Sequence, residues 1–480
     1  MRVCGPGRKV LFAAGLLSCG SALAQDQTTP SPSTPGQAIP GTLGTSPFSS
    51  SKPVQPAPGV VPISLQDAID RGLKNNLGLL ISDTNVLSAR GQRWEQLSAL
   101  LPHVGVTFFG AGEKINLAEL GITGAGPVAF PASVGPFYYF DARVGLTQSL
   151  FDWKSIAAAR AAAQTLRSAE HSYQDARDLV VLAVGYVYLQ AIADEARIDT
   201  AEAQVKTAQA LYHQAADQVK AGTSPSIDAL RAKVELQTRQ QQLIQAKNNF
   251  AIQKLTVARV IGLPPGQEFD LTDRSPYQPF DGIRIDDALA RAYRSRSDYQ
   301  AALTDVRAAE LSREAAVAGY YPSLSLNADY GAAGATFGTA TPVYEVRGTI
   351  SVPLFQGGSV HGQVLQAEAK LVQSRERLEN LRGQIDSDVR TALLNLQSSA
   401  EQVEVARSSI ELAEEALVQS RDRFSAGVTD TVEVVQSQQA VASAHEQFIA
   451  SLYAYNFAKI SLARAIGVAE QGFQEFFRGR

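Results

Sequence analysis

The chain has 480 residues, 45% of them hydrophobic and 19% charged, which is enough for several ordinary domains and too apolar for a wholly disordered polymer. Its 43 basic and 47 acidic residues give a formal charge of −4. Nucleic-acid binding, which needs a concentrated basic face, is therefore not expected.

Residues 1–24 read as a secretory signal peptide. Arg2, Arg8 and Lys9 precede the apolar run Val10 to Leu17, and Ala22-Leu23-Ala24 offers a cleavage site before Gln25. Both cysteines, Cys4 and Cys19, fall inside it, so the mature chain would hold no disulfide, reactive thiol or cysteine zinc site. Cys19 follows Leu16-Leu17-Ser18, a loose lipoprotein box with a poorly fitting leucine two positions before the cysteine; the residues favour cleavage after Ala24 over lipidation. Residues 25–60 are rich in proline, serine and threonine, with little to bury, and are expected to form a flexible leader. No later stretch has 18 or more consecutive apolar residues, so no membrane-crossing helix is expected.

The rest of the chain is written twice. Ile63-Ser64-Leu65-Gln66-Asp67-Ala68-Ile69 returns as Ile283-Arg284-Ile285-Asp286-Asp287-Ala288-Leu289, and Leu101-Pro102 as Tyr321-Pro322, both displaced by 220. Ser149-Leu150-Phe151-Asp152 returns as Pro353-Leu354-Phe355-Gln356 and Ala221-Gly222 as Ala426-Gly427, displaced by 204 and 205. A loop in the first copy is thus longer by about 16 residues. The copies span 61–270 and 281–470, with a short tail at 471–480. Each reads helix, strand, loop, strand, very long helix, tight turn, long helix.

Four strands are expected, at about 103–113, 137–149, 323–331 and 343–353. In the second, Phe140, Ala142, Val144 and Leu146 alternate with Asp141, Arg143, Gly145 and Thr147. In the fourth, Tyr344, Val346, Gly348 and Ile350 alternate with Glu345, Arg347 and Thr349. The first strand is less clean, because Phe108 and Phe109 fall on opposite faces.

From Lys154 to Lys220 there is no proline and little glycine, which predicts a rod of roughly 100 Å. On the returning helices, Leu236, Leu243, Phe250 and Val257 recur every seven residues, as do Val441, Phe448, Tyr455 and Leu462. That spacing keeps an apolar seam against a neighbouring helix. Tip turns are expected at 220–225 and 425–430.

Four strands cannot close, and an open sheet edge cannot face lipid. The strands must pool with those of other copies into a barrel. Asp141, Arg143, Glu345 and Arg347 are then expected to face its lumen, and Phe137, Tyr138 and Phe140 to join an aromatic girdle. No catalytic, metal or cofactor site is expected. His103, His171, His213, His361 and His445 are scattered, and neither a Gly-x-Ser-x-Gly elbow nor a His-Glu-x-x-His motif occurs.

Over Ile63 to Gly467 the chain resembles the TolC-like outer-membrane efflux proteins. The resemblance rests on the tandem order together with Ala99-Leu100-Leu101-Pro102, Pro353-Leu354-Phe355-Gln356-Gly357-Gly358 and the two Ala-Gly turns. It implies a mainly helical fold with transmembrane β-structure. A homotrimer would pool its strands into a twelve-stranded β-barrel in outer-membrane lipid and its hairpins into an α-barrel tunnel across the periplasm. An equatorial belt would surround the tunnel, drawing on residues near Pro264 to Gly282, the leader and the tail. The implied function is the passive exit duct of a tripartite efflux system for small molecules, with a periplasmic adaptor protein and an inner-membrane pump as partners. No GxxxxGK[ST] phosphate loop is present to drive transport. Two readings stay open beside it: a periplasmic coiled-coil adaptor or scaffold, and the exit channel of a type I polypeptide secretion system.

The resemblance also assigns candidate residues. The adaptor would meet Ala221, Gly222 and Thr223 in one tip turn and Ala426, Gly427 and Val428 in the other. Asp228 and Glu433 match acids of the constricted entrance, and Phe424 matches a tyrosine that ties it shut. Gln436 and Thr429 stand where the family prototype has an acid and an arginine, so its ionic latch is only partly carried over. Asp430-Thr431-Val432-Glu433 reads in addition as a capping box, the favoured role for Glu433. Pro225 denies Asp228 the equivalent partner.

Overall fold

The computed structural model describes residues 47–56, 58–117, 119, 121, 131–274, 277–280 and 282–470. The expected signal peptide with Cys4 and Cys19, most of the leader, and the tail at 471–480 lie outside the described residues.

Each copy opens with two helices where the sequence suggested one: α1 (Leu65–Asn75) and α2 (Leu77–Ser98), then α5 (Ile285–Ser295) and α6 (Ser297–Val317). The breaks fall at Asn76 and Arg296, which occupy equivalent positions in the repeat and are both buried with extended backbones. Asn76 Oδ1 accepts from the Gly78 and Leu79 amides at 2.9 and 3.4 Å, capping α2, while its Nδ2 donates to the Phe48 carbonyl at 2.7 Å. Arg296 donates to Asp298 at 2.6 Å and to Asp388 at 3.1 Å.

Those contacts bear on the leader. Residues 50–54 are pinned to helix ends and are not free: Leu77 N–H donates to Ser50 O, Ser51 N–H to Arg259 O, Lys52 N–H to Asn75 O and Val54 N–H to Gly262 O. Helix termini leave backbone groups unsatisfied, and this segment satisfies them. A further pairing had no counterpart in the sequence reading. β1 (Val61–Ile63) runs parallel to β4 (Phe269–Leu271), joining the start of the first copy to its end.

The principal sheet has the order β2–β3–β5–β6, all antiparallel. Its strands are β2 (His103–Asn116), β3 (Ser133–Phe151), β5 (Ser323–Gly334) and β6 (Thr341–Ser351). The first three outrun the expected bounds; the fourth begins two residues earlier and stops at Ser351 because Pro353 follows. The register places Asp141, Arg143, Asp329, Glu345 and Arg347 on one face, with Phe109. Arg143 bridges Asp141 at 2.6 Å and Asp329 at 2.9 Å, and Arg347 pairs with Glu345. The opposite face is apolar and exposed, carrying Val104, Val106, Phe108, Tyr344, Val346 and Ile350. Phe108, Phe140 and Phe337 cluster there. Phe137 does not join them. It shares the polar face and stacks on Tyr139, because period two sets odd positions of β3 opposite to Tyr138 and Phe140.

Below the sheet run four long helices: α3 (Trp153–Lys220, 68 residues), α4 (Ser226–Ile261), α7 (Ser359–Ser425, 67 residues) and α8 (Thr431–Ala465). α3 pairs with α4 and α7 with α8, while α3 and α8 touch across the two copies. The seven-residue seams lie in these contacts, with Val257, Tyr455 and Leu462 buried and Leu236, Leu243, Phe250, Val441 and Phe448 partly so. Each copy has its own core midway along the rods. One joins Tyr188, Val180, Val184 and Ile261 to Ile63 and Phe269; the other joins Ile385, Val389, Tyr455 and Leu462 to Ala288 and Tyr299. The Tyr188 hydroxyl donates to the Ile63 carbonyl at 2.9 Å. By length and composition α3 could cross a membrane, contrary to the expectation, but over half of its most apolar stretch is buried inside this core.

Replacing Asn76 by alanine removes a helix cap and the donor that holds Phe48. A loss of about 1–3 kcal/mol is expected, visible as a lower thermal midpoint of the helical circular-dichroism signal. An unchanged midpoint would show that the break is held by packing alone.

Candidate functional site

The end of the hairpins farthest from the sheet carries most of the expected site residues. α3 and α7 stop by the same device. Gly222 and Gly427 have φ of +73° and +72°, a left-handed conformation that costs glycine little. Thr223 N–H returns to Gln218 O and Val428 N–H to Arg423 O, both at 2.9 Å, and this satisfies the last carbonyls of each helix. Ala221, Gly222, Thr223, Ala426, Gly427 and Val428 are all exposed, and a Cβ added at either glycine would meet nothing within 4 Å. The turns are unobstructed projections.

Behind them, Phe424 is buried with Leu211, Ala215, Ala232 and Val434, so one aromatic ring fastens the two hairpins together at the tip. Asp228 is also buried, with Arg231 at 3.6 Å. No side chain caps α4 at Pro225, as anticipated. Glu433 departs from the favoured reading. Asp430 does cap α8, accepting from the Val432 amide at 3.1 Å, but no capping box forms. The Glu433 carboxylate accepts from the Thr429 hydroxyl and lies 3.6 Å from Arg423. Both partners sit in or beside the turn. Gln436 is exposed one turn further on.

A polar arrangement above the tip was not foreseen. Arg239 of α4 is 3% exposed. It donates to Glu235 at 2.6 Å, to Gln204 of α3 at 3.2 Å and to Gln439 of α8 at 2.7 Å. Arg197 of α3 bonds Asp194 at 2.7 Å and Glu446 of α8 at 2.8 Å. Except for Glu235, these groups line a cleft of about 450 Å³ between α3, α4 and α8 and tie the second hairpin to the first. Nearer the middle of the rods, burial pushes the Asp178 carboxyl up to about 6, opposed by the charge of Arg464, which itself bonds Asp175 at 2.6 Å.

Two long hairpins with exposed tips are surmounted by an amphipathic sheet whose apolar face is bare. A family model described as outer membrane efflux protein matches residues 68–263 and 288–468, one segment in each copy. The chain belongs to the outer membrane efflux protein family. It is similar to the pyoverdine export outer membrane protein OpmQ of Pseudomonas putida, with 25% identity over 341 residues that cover 68% of this chain and 70% of the relative. The outer membrane protein TolC of Escherichia coli is 22% identical over 350 residues, 69% of this chain and 70% of that one. Among solved structures, Vibrio cholerae VceC superposes with a TM-score of 0.72 at 18% identity, covering 84% of this chain and 96% of that chain. The outer-membrane channel OprN gives 0.73 at 18%, covering 84% and 89%. At that identity the superpositions establish the fold. The protein is an outer-membrane efflux channel, and its family is one of transport ducts rather than enzymes.

Proposed function

We propose that three copies of this chain form a passive duct through the outer membrane and across the periplasm, entered at the hairpin tips and docked there to a periplasmic adaptor protein that an inner-membrane pump serves. The observation that carries this reading is the pair of open edges. Among the described residues β2 and β6 each have a free side, at opposite borders of a sheet with one apolar face. Unpaired backbone groups are not tolerated in hydrocarbon, so both edges need another copy. Two copies would give an eight-stranded barrel, narrow enough to be filled by its own side chains. The polar face here carries Tyr139, Asp141, Arg143, Asp329, Glu345 and Arg347, which three copies can place around an open lumen.

The helical part supports the same arrangement. α4 and α7 are the outer members of the four-helix row, and each shows an exposed apolar stripe: Leu230, Val234 and Ile244 on α4, Leu394, Val405 and Leu412 on α7. α7 of one copy against α4 of the next would cover both. The cargo is read as small molecules. Relatives are named for the export of pyoverdine, for toluene and for antibiotics, which favours this over a polypeptide cargo.

At the entrance the two acids are not equivalent. Asp228 is buried within the protomer, while the Glu433 side chain is 37% exposed. A ring of three Glu433 carboxylates in a confined mouth would concentrate cations. In single-channel recordings, Glu433→Ala is expected to weaken block by multivalent cations more than Asp228→Ala does; unchanged block in the double variant would remove both acids from the entrance. Replacing Gly222 and Gly427 by valine should abolish adaptor pull-down and efflux while heat-resistant oligomers persist. Retained adaptor binding would move the contact away from the turns.

A further inference from the structure

The duplication supplies an internal control for the polar cluster on α3, α4 and α8. The 205-residue displacement of the long helices carries Arg197, Gln204, Glu235 and Arg239 onto Gln402, Ser409, Ala440 and Ala444. At that level α7 and α8 pack with Ala406 and Ala444 buried. The hairpin therefore needs no more than alanine where the first copy buries a guanidinium. Exchanging a buried ion pair for apolar residues is often neutral or stabilising. The cluster is an addition to the rod, and packing does not account for it.

Its chemistry has a direction. A guanidinium only donates hydrogen bonds. Arg239 donates from Nε to Glu235 at 2.6 Å, from Nη1 to Gln204 at 3.2 Å and Gln242 at 3.0 Å, and from Nη2 to Gln439 at 2.7 Å. All three amides thus turn their oxygens to Arg239 and their nitrogens elsewhere. Among the described residues none of these Nε2 groups donates to another protein group, and one of the five guanidinium N–H groups is also left over. The four residues come from three helices and line one cleft of about 450 Å³. Two arginines and two acids line it, and Arg197 already lies between those acids, at 2.7 Å from Asp194 and 2.8 Å from Glu446. The cleft has spare donors and no net charge.

We propose that this cleft is a binding site for a small monocarboxylate with a hydroxylated body, whose carboxylate accepts from the Nε2 groups of Gln204, Gln242 and Gln439 and from the spare N–H of Arg239. A carboxylate is acceptor-only, with room for about four hydrogen bonds, which suits this donor set. The amides of Gln245 and Asn249 and the hydroxyl of Ser443, also in the lining, both donate and accept and suit hydroxyl groups of the ligand. Asp194 and Glu446 disfavour a second negative charge. The bound molecule would bridge the hairpins, since α3 and α4 belong to the first and α8 to the second. Gln439 and Glu446 share a helical phase with Tyr453, two residues and about 200° around α8 from Tyr455, whose ring meets Tyr277. The cleft thus lies away from the linker, on the side that would face the tunnel of the proposed duct. A holding point for carboxylate-bearing cargo is its meaning for transport, and that step alone rests on the duct reading.

Titration calorimetry of the detergent-extracted protein tests the site, with sodium gluconate as the probe and sorbitol as the neutral control of the same carbon chain. Saturable binding of gluconate without binding of sorbitol is expected. Gln204→Glu with Gln439→Glu keeps oxygens available to Arg239 but removes two donors, and should weaken gluconate by about tenfold or more. Glu235→Ala with Arg239→Ala copies the second repeat's Ala440 and Ala444, so the helical signal should persist while gluconate binding is lost. Equal affinity in the wild type and both variants, or sorbitol bound as tightly as gluconate, would overturn the proposal. Absence of gluconate binding in particles that still conduct ions in planar bilayers would overturn the cleft and leave the duct standing.

Discussion

A backbone amide or carbonyl turned toward hydrocarbon without a partner costs several kcal/mol, and a strand edge presents a row of them. The sheet in this protein has two such edges, on β2 and β6, and an apolar face that water would not tolerate either. Neither defect is repaired among the described residues, whose four strands in this sheet are too few to curl back on themselves. The rest of the molecule is consistent with repair by identical neighbours. Among the described residues the helix row is open at α4 and α7 as the sheet is open at β2 and β6, so one assembly operation would close both layers.

The duplication explains why closure is geometrically simple. Each chain already contains one complete seam between similar halves, including the ion pair from Arg143 to Asp329 on the polar face and the Trp153–Glu314 bond beneath it. The substitutions between the two copies then acquire meaning. Arg296 and Asn76 occupy the same bend with different chemistry: the amide caps a helix and holds the leader, whereas the guanidinium reaches two carboxylates.

Much of this was legible in the sequence, because its strongest signals are periodic. The alternation along β3 and β6, the sevenfold seams of α4 and α8 and the Ala-Gly stops of α3 and α7 each reflect one local geometry that tertiary packing did not override. What escaped depended on side chains acting at a distance. Asn76 and Arg296 break helices without proline or glycine, by offering the backbone another partner. Residues 50–54 looked featureless, yet they are ordered by backbone bonds to helix ends far along the chain, which composition does not encode. Phe137 leaves the expected girdle because strand parity, not aromatic content, decides its face. Glu433 fits a local capping motif but turns to Thr429 and Arg423 instead. The Arg239 cluster joins three helices and leaves no pattern in any one of them.

The decisive quantity is the number of chains that share the barrel. Native mass spectrometry of the mature protein extracted in mild detergent, under conditions that preserve ion conduction in planar bilayers, counts them directly. Three chains per conducting particle is the predicted result. A conducting particle of one or two chains would contradict it, because the β2 and β6 edges would then have to be satisfied in some way other than by strand sharing around an open lumen.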